Sequence, residues 1–354
     1  MRFGICVMAD IDEIGFFSHA ENLGYDSVWA TDSQMLFSDC YAVLMLAAQK
    51  TTRLRLGPGV AICGTRIPPV HVAAMATLNR LAPGRVHLGI GTGNTAMRTM
   101  GQRPMRIANY AAYLRVLSAL LRGEVVDYAY EGLSRPIKML MHEKKYMSLE
   151  PRIPLYVSGF GPRAMELAGE YGDGLVFAIP PRGVPVTEAL GHAKRGAARA
   201  GRRLDGFRTC ALVNIALVDP GEPIDSERVI RTVGPNVMAS VYYFYDEVHE
   251  RGIEPPAFLR GIWKRYCALV AAIPLEHRHF RTHEFHYTYL HPGEAELIDA
   301  DLIRATCLVG TAEELIERIR NLERQGLQEL MFATGVDEKW RFSEEFARRV
   351  MARL

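Results

Sequence analysis

Paired cysteines are missing from this chain. Its six cysteines, Cys6, Cys40, Cys63, Cys210, Cys267 and Cys307, are scattered, with no CxxC pair and no ladder of spacings. In a chain of 354 residues they read as reduced thiols in a cytoplasmic protein. Charge of one sign is missing too. Lysine and arginine number 42 against 40 acids, a net +2, which gives no electrostatic case for nucleic acid or a membrane surface. No uncharged apolar run approaches the roughly 18–20 residues that span a bilayer. The opening MRFGICVMAD reaches an acid at once and lacks the long apolar region of a signal peptide. Low-complexity tracts and 20–50-residue repeats are absent.

Several catalytic signatures are also lacking. GxxxxGK[ST] does not occur, which removes P-loop chemistry. G-x-S-x-G does not occur; in YVSGFG (156–161) Ser158 has no glycine two places before it, so it is no nucleophile elbow. GTGN at 91–94 is not a GxGxxG with an acid some 20 residues on, so a Rossmann fingerprint is unsupported.

What is present is alternation. Hydrophobic residues make up 49% and charged residues 23%, enough for a sizeable core. Strands are expected at 2–8, 27–31, 54–62, 86–91, 154–158, 175–178, 208–218 and 328–334. Helical patterns lie between them, among them 68–84, with proline at its start and Pro-Gly at its end. Eight such units argue for one α/β domain over 1–354, a (β/α)8 barrel with insertions. A doubly wound open sheet is the alternative. A hairpin insertion is expected at 124–151, around Glu131-Gly132, and a helical, irregular insertion at 219–308.

In such a barrel the site lies where the strands end. Strand two ends at Thr31-Asp32-Ser33, strand three near Gly59-Val60, strand four at Thr92, Gly93 and Asn94, strand five at Ser158-Gly159-Phe160-Gly161. The small residues at 158–161 let backbone N–H groups approach an anion at a helix N-terminus, and Arg163 in the first turn could add charge. The bland alternative is a turn that needs glycine only for its backbone angles. Asp32 is a barrel-mouth carboxylate or a helix cap. Five histidines fall within 277–291. If 277–287 is helical, His279, His283 and His286 share one face. The spacing is not HExxH and no further carboxylate ligand is evident, so no metal is assigned. His286 is instead a candidate acid or base beside a substrate. Arg195, Arg199, Arg202 and Arg203 read as a solvated helix end.

The segments SVWATD (27–32), LRLGPGVAI (54–62), TRIPPVHVAAMATLNRLAPGRVHLGIGTG (65–93) and PLYVSGFGPRAMELAGEYGDGLVF (154–177) resemble the bacterial luciferase-like superfamily of flavin- and deazaflavin-dependent oxidoreductases. The resemblance covers most of 1–218 and returns at 302–334. It implies a TIM barrel, usually a homodimer, with reduced FMN or coenzyme F420 in the mouth. It also implies a non-prolyl cis peptide near Gly59-Val60 behind the ring, with Thr92 and Asn94 beside it and the phosphate-bearing tail near Ser158–Gly161. Two positions depart from the F420-dependent branch: Ser33 where histidine often follows the aspartate, and Asn94 where some members carry a glutamate acid. The leading expectation is therefore a two-component monooxygenase taking reduced FMN, supplied by a separate flavin reductase, and O₂ to a small organic substrate. The alternatives are an F420-dependent reductase or dehydrogenase and a non-catalytic flavin-binding barrel.

Overall fold

The computed structural model describes residues 1–180 and 183–354. Short apolar runs become parallel strands. They are β1 (Arg2–Val7), β2 (Ser27–Ala30), β3 (Arg55–Pro58), β4 (Ala61–Ile62), β5 (Leu88–Gly91), β8 (Leu155–Ser158), β9 (Gly174–Phe177), β10 (Arg208–Leu217) and β12 (Glu329–Ala333). Their order is β3-β2-β1-β12-β10-β9-β8-β5-β4. The two ends of that path are consecutive in the chain, separated only by Gly59 and Val60, so the ring closes through a bulge. A bridge from Leu56 to Val86 closes it lower down. The structure is thus a barrel, and the doubly wound alternative falls. The single interrupted strand expected at 54–62 is two strands, the first paired to β2 and the second to β5.

Between the strands run α1 (Gly15–Asn22), α2 (Cys40–Lys50), α3 (Pro68–Leu81), α4 (Asn94–Arg98), α5 (Ile107–Leu121), α6 (Pro162–Tyr171), α7 (Val186–Arg199), α12 (Ala312–Arg324) and α13 (Lys339–Arg349). Local chemistry fixes their starts. Asp39 accepts from the N–H groups of Tyr41 and Ala42, and Thr311 with Glu314 forms a capping box for α12. α3 and α6 have proline in the first turn. The main apolar core lies between helices and sheet, with Val28, Leu44, Leu56, Leu117 and Phe332 fully buried.

Two segments leave the pattern. β6 (Val126–Tyr130) and β7 (Leu133–Ile137) pair antiparallel as a hairpin around Glu131-Gly132. After β10 come α8 (Glu227–Arg251), α9 (Arg260–Ala271), α10 (Arg278–Arg281), α11 (Ala300–Thr306) and β11 (Leu308–Gly310), which pairs with β10. They bury a second core around Val237, Tyr242, Tyr266 and Ile303.

The 25 residues of α8 extend about 37 Å at 1.5 Å per residue. Near its start, the Asn236 amide donates to Ala333 O at 2.8 Å, at the end of β12. Near its end, Asp246 and Glu250 meet Arg98, beyond β5. β12 and β5 stand on opposite sides of the ring. The helix therefore links opposite rims of the barrel's C-terminal end.

Candidate active site

The floor of the mouth is built from below. Trp29, fully buried, fills the barrel axis; its Nε1 donates to Glu329 at 3.0 Å, and Arg55 lies 3.3 Å from the same carboxylate. A Cβ at Gly59 would come within 2.5 Å of the Trp29 Cβ, and one at Gly91 within 2.8 Å of Val60 Cγ2. Glycine at these positions lets the bulge press down on Trp29 at its Cβ and lets Val60 lean inward. The Gly59–Val60 peptide is cis, as the resemblance implies. Gly59 N–H donates to Ala30 O at 2.7 Å, and the Cys6 thiol lies 3.6 Å from Gly59 O. Burial pushes that thiol up to about 12, so it stays protonated and can donate.

Asp32, buried at the end of β2, holds the far side of the bulge. Its carboxylate accepts from Ile62 N–H at 3.1 Å and from Arg66 Nη1 at 3.0 and 2.9 Å. Arg66 Nη2 donates to Asp39 at 2.8 Å, and its guanidinium lies 4.8 Å from the Tyr41 ring centroid. Both Asp32 oxygens are committed to an ion pair. This arrangement suits positioning of the bulge.

The loop after β8 answers differently at each residue. Ser158 is half-buried, next to Gly91. Gly159 is not an approach for a ligand: its N–H donates to Val176 O at 3.0 Å, and a Cβ there would lie 2.7 Å from Ala164 Cβ and 2.8 Å from Ala164 carbonyl carbon. Glycine is needed to pack against the first turn of α6. Gly161, the N-cap, is the open position: among the described residues no heavy atom lies within 4 Å of a Cβ built there and no side chain caps the helix. Phe160 is 47% exposed beside it. Arg163 turns away along its own helix, pairing with Glu170 and with Glu166 at 3.3 Å, so it adds no charge to the loop. Those same carboxylates also take Arg199, while Arg202 donates to the carbonyls of Gly169 and Gly172 at the end of α6.

At the exit of β5, Gly93 takes a left-handed φ of 84° and α4 begins at Asn94. Thr92 is half-buried, and its carbonyl accepts from Met105 N–H at 3.1 Å. The Asn94 side-chain oxygen accepts from Arg98 Nε at 2.9 Å. Arginine has no acceptor, so the amide oxygen must face it and the NH₂ group is left to donate elsewhere. Arg98, 7% exposed, also meets Asp246 at 3.1 Å and Glu250. A carboxylate at position 94 would be a third acid on one guanidinium, which accounts for a neutral amide there.

The histidine-rich segment lies over this rim without being a helix. A 3-10 turn at Leu275–His277 leads into an α-helix of only Arg278–Arg281, so His279, His283 and His286 do not form the regular face that their spacing suggested. His283 Nε2 lies 3.1 Å from Asp246, and His286 Nε2 lies 3.1 Å from Thr95 Oγ1. Tyr287 holds a left-handed φ of 64° and packs, like Met8, Val60 and Leu212, on the Trp29 cluster inside the barrel. A non-glycine residue in that conformation is typical of sites whose surroundings impose it. Behind the segment, buried Glu294 accepts from Tyr242 Oη at 2.8 and 2.7 Å and from His291 N–H at 2.9 Å. Burial pushes its carboxyl up to about 7, against the lowering effect of those hydrogen bonds. On the β1 and β12 side, a cleft of about 390 Å³ opens between Met8, Phe37, Phe285 and Lys339.

A barrel with a bulged third strand, an open helix N-terminus after β8 and a roof inserted after β10 has counterparts. Residues 1–329 match the family model of luciferase-like monooxygenases. The chain belongs to that family. It is a luciferase-like oxidoreductase. A 5,10-methylenetetrahydromethanopterin reductase of Archaeoglobus fulgidus is 26% identical over 96% of both chains. An F420-dependent glucose-6-phosphate dehydrogenase of Beutenbergia cavernae is 28% identical, covering 89% of this chain and 95% of its own. The solved coenzyme F420-dependent tetrahydromethanopterin reductase from Methanopyrus kandleri superposes with a TM-score of 0.69 at 21% identity, covering 99% of each chain, and so supports the fold.

Within this luciferase-like barrel, reasoning from sequence missed Trp29, Arg66, Tyr287 and Glu294. Trp29 and Arg66 lie inside or beside the quoted segments, where an arginine just after a glycine bulge is a usable signal. Nothing in the sequence marked Tyr287, which packs on the Trp29 cluster, or Glu294, whose hydroxyl partner Tyr242 comes from α8.

Proposed function

We propose that the chain is a coenzyme F420-dependent oxidoreductase that moves a hydride between the deazaflavin and a small organic substrate. The carrying observation is the pairing of an uncapped, open α6 N-terminus with the inward-pressed Gly59–Val60 floor. That pairing suits a phosphate-bearing tricyclic cofactor. FMN would suit it as well. The preference for F420 rests on the relative of that name, which is similar along 89% of this chain. It replaces the two-component FMN monooxygenase as the leading reading, and with it the need for a flavin reductase. A homodimer and a cytoplasmic location remain part of the proposal; among the described residues no helix is long and apolar enough to cross a membrane.

When bound, F420 supplies a two-electron hydride carrier. The residues here would do the rest. Gly59 and Val60 would form the surface against one face of the ring, Gly161 and the first-turn N–H groups of α6 would receive the phosphate, and Phe160 would cover the tail. The Asn94 amide donates a hydrogen bond but cannot deliver a proton near neutral pH. We assign proton exchange to His286, beside Thr95 and one residue from Asn94. The roof segment and α8 exclude water.

Titrating the purified protein with F420 and FMN side by side tests this. F420 is expected to bind at least about tenfold more tightly, a difference of about 1.4 kcal/mol. Tighter FMN binding together with a transient peroxyflavin absorbance in air would restore the monooxygenase reading.

A further inference from the structure

The cleft beside the mouth limits what can enter it. It opens where β1 and β12 end, across the ring from β8. A cofactor with its phosphate at α6 and its ring on the bulge leaves this cleft to the substrate, a step that rests on the reading above. Three formally charged side chains line it: Asp10, Glu284 and Lys339. Lys339 Nζ is matched outside the cleft by Glu13 at 3.5 Å. Glu284 is held by Arg281 at 3.0 Å, which does not line the cleft. Asp10 accepts from Asp12 N–H at 3.0 Å and has no ion pair among the described residues. Lys339 and Glu284 are thus each matched by a partner outside the cleft, which leaves Asp10 as its uncompensated charge among the described residues, so an entering anion finds no free cation and meets one acid.

Two of the cleft's hydroxyls are engaged within the protein. Ser38 Oγ accepts from Ile11 N–H at 3.2 Å, and Thr288 Oγ1 donates to Phe285 O at 3.0 Å. Much of the remaining wall is aliphatic or aromatic, with Met8, Leu36, Phe37, Phe285, Tyr289 and Val336 facing the space. A cleft of this size whose wall joins these apolar side chains to the hydroxyl-bearing Thr334 and Tyr289 suits a ring-sized apolar body that carries one polar group.

We propose that the substrate is a small, non-anionic molecule with an apolar body and one polar group at its reacting carbon, and that phosphorylated sugars are rejected. The test is ligand-observed NMR on the full chain without cofactor, titrating acetophenone and glucose 6-phosphate. Acetophenone should bind at least about tenfold more tightly than the sugar phosphate. Phe285→Leu should keep that preference, whereas Val336→Asp should lower acetophenone affinity at least about threefold while circular dichroism stays unchanged. Asp10→Asn combined with Glu284→Gln should narrow the gap by admitting the anion. Glucose 6-phosphate binding as tightly as the ketone, or no ketone binding at millimolar concentration, would overturn the proposal. No cofactor enters this assay, so its failure and the failure of an F420 titration are separate results.

Discussion

Replacing Asp32 by asparagine decides whether that carboxylate holds the site together or takes part in chemistry. In the native arrangement it receives two contacts from Arg66 and one from Ile62 N–H. An asparagine keeps one acceptor oxygen but turns an NH₂ group toward a guanidinium or a backbone N–H, so at least one donor loses its partner. Breaking a buried ion pair from one side costs about 3–5 kcal/mol, and a hydrogen bond to a charged group is worth about 1.5–3. Arg66 keeps Asp39 and is 20% exposed, which lowers the figure. The expected loss is about 2–3 kcal/mol. Unfolding entropy of roughly 2.1 cal/mol/K per residue then implies a fall in Tm of about 3 °C. Urea denaturation of Asp32→Asn, Arg66→Met and the double variant should give a coupling energy near 2 kcal/mol, with cofactor affinity falling alongside because Ile62 N–H is released. A stability change below about 0.5 kcal/mol together with a large drop in kcat at unchanged KM would refute the reasoning and return Asp32 to the chemistry.

Other outcomes follow from single residues. Gly161→Asp places a favoured N-cap on α6, so stability should hold or rise by up to about 1 kcal/mol while phosphate-bearing cofactors bind at least about tenfold more weakly; an unchanged dissociation constant by fluorescence titration would remove the anion from this loop. Gly159→Ala should instead cost about 1–3 kcal/mol in urea denaturation through contact with Ala164, with or without cofactor. His286→Gln can keep a hydrogen bond to Thr95 but cannot titrate, so one limb of the pH–rate profile should disappear; a profile identical to the parent's would exclude His286 from proton exchange. Glu294, held near 7 in the fold against about 4.5 as its ordinary value, binds more protons folded than unfolded, so stability should decline from about pH 4.5 to about pH 7 and level off above. The window corresponds to about 3 kcal/mol at most, and Glu294→Gln should flatten it in denaturation curves taken at pH 5 and pH 8.

The fold was legible because its signals are local. Period-two and period-3.6 patterns and proline at helix starts mark strands and helices without reference to distant residues, whereas the bulge at Gly59-Val60 was expected only from the family resemblance. The partners of the site's charged groups were not legible. Arg163 looked like a phosphate ligand because it sits in a first turn, yet carboxylates on its own helix take its guanidinium. Gly159 and Gly161 look equivalent in sequence and differ only in what stands behind them. Asn94 was recognised at the exit of β5, but the direction of its amide is set by Arg98, and Arg98 is held by α8 some 150 residues further on. The histidines of 277–291 were seen as a group, while the turns that break their regular spacing depend on packing beneath Tyr242.

The seating of the bulge on Trp29 ties the depth of the mouth to an indole that no ligand would touch. Gly59 rests on the Cβ and backbone of Trp29, Gly89 passes the indole's ring edge and Gly91 makes way for Val60. The site's lower surface is therefore the upper surface of a packed layer, and its level is set by the volume of one buried ring. A smaller residue at position 29 would keep the Cβ beneath Gly59 but remove the ring edge beside Gly89, so that β5 and the Val60 side chain packed against it shift and the distance to Asn94 and the roof changes. Reach between cofactor and substrate would then change with no alteration to a residue that meets either. The length of that reach is a property of the barrel's interior, and searches for variants with altered substrate geometry have as much to gain at Trp29 and its glycines as along the walls of the mouth.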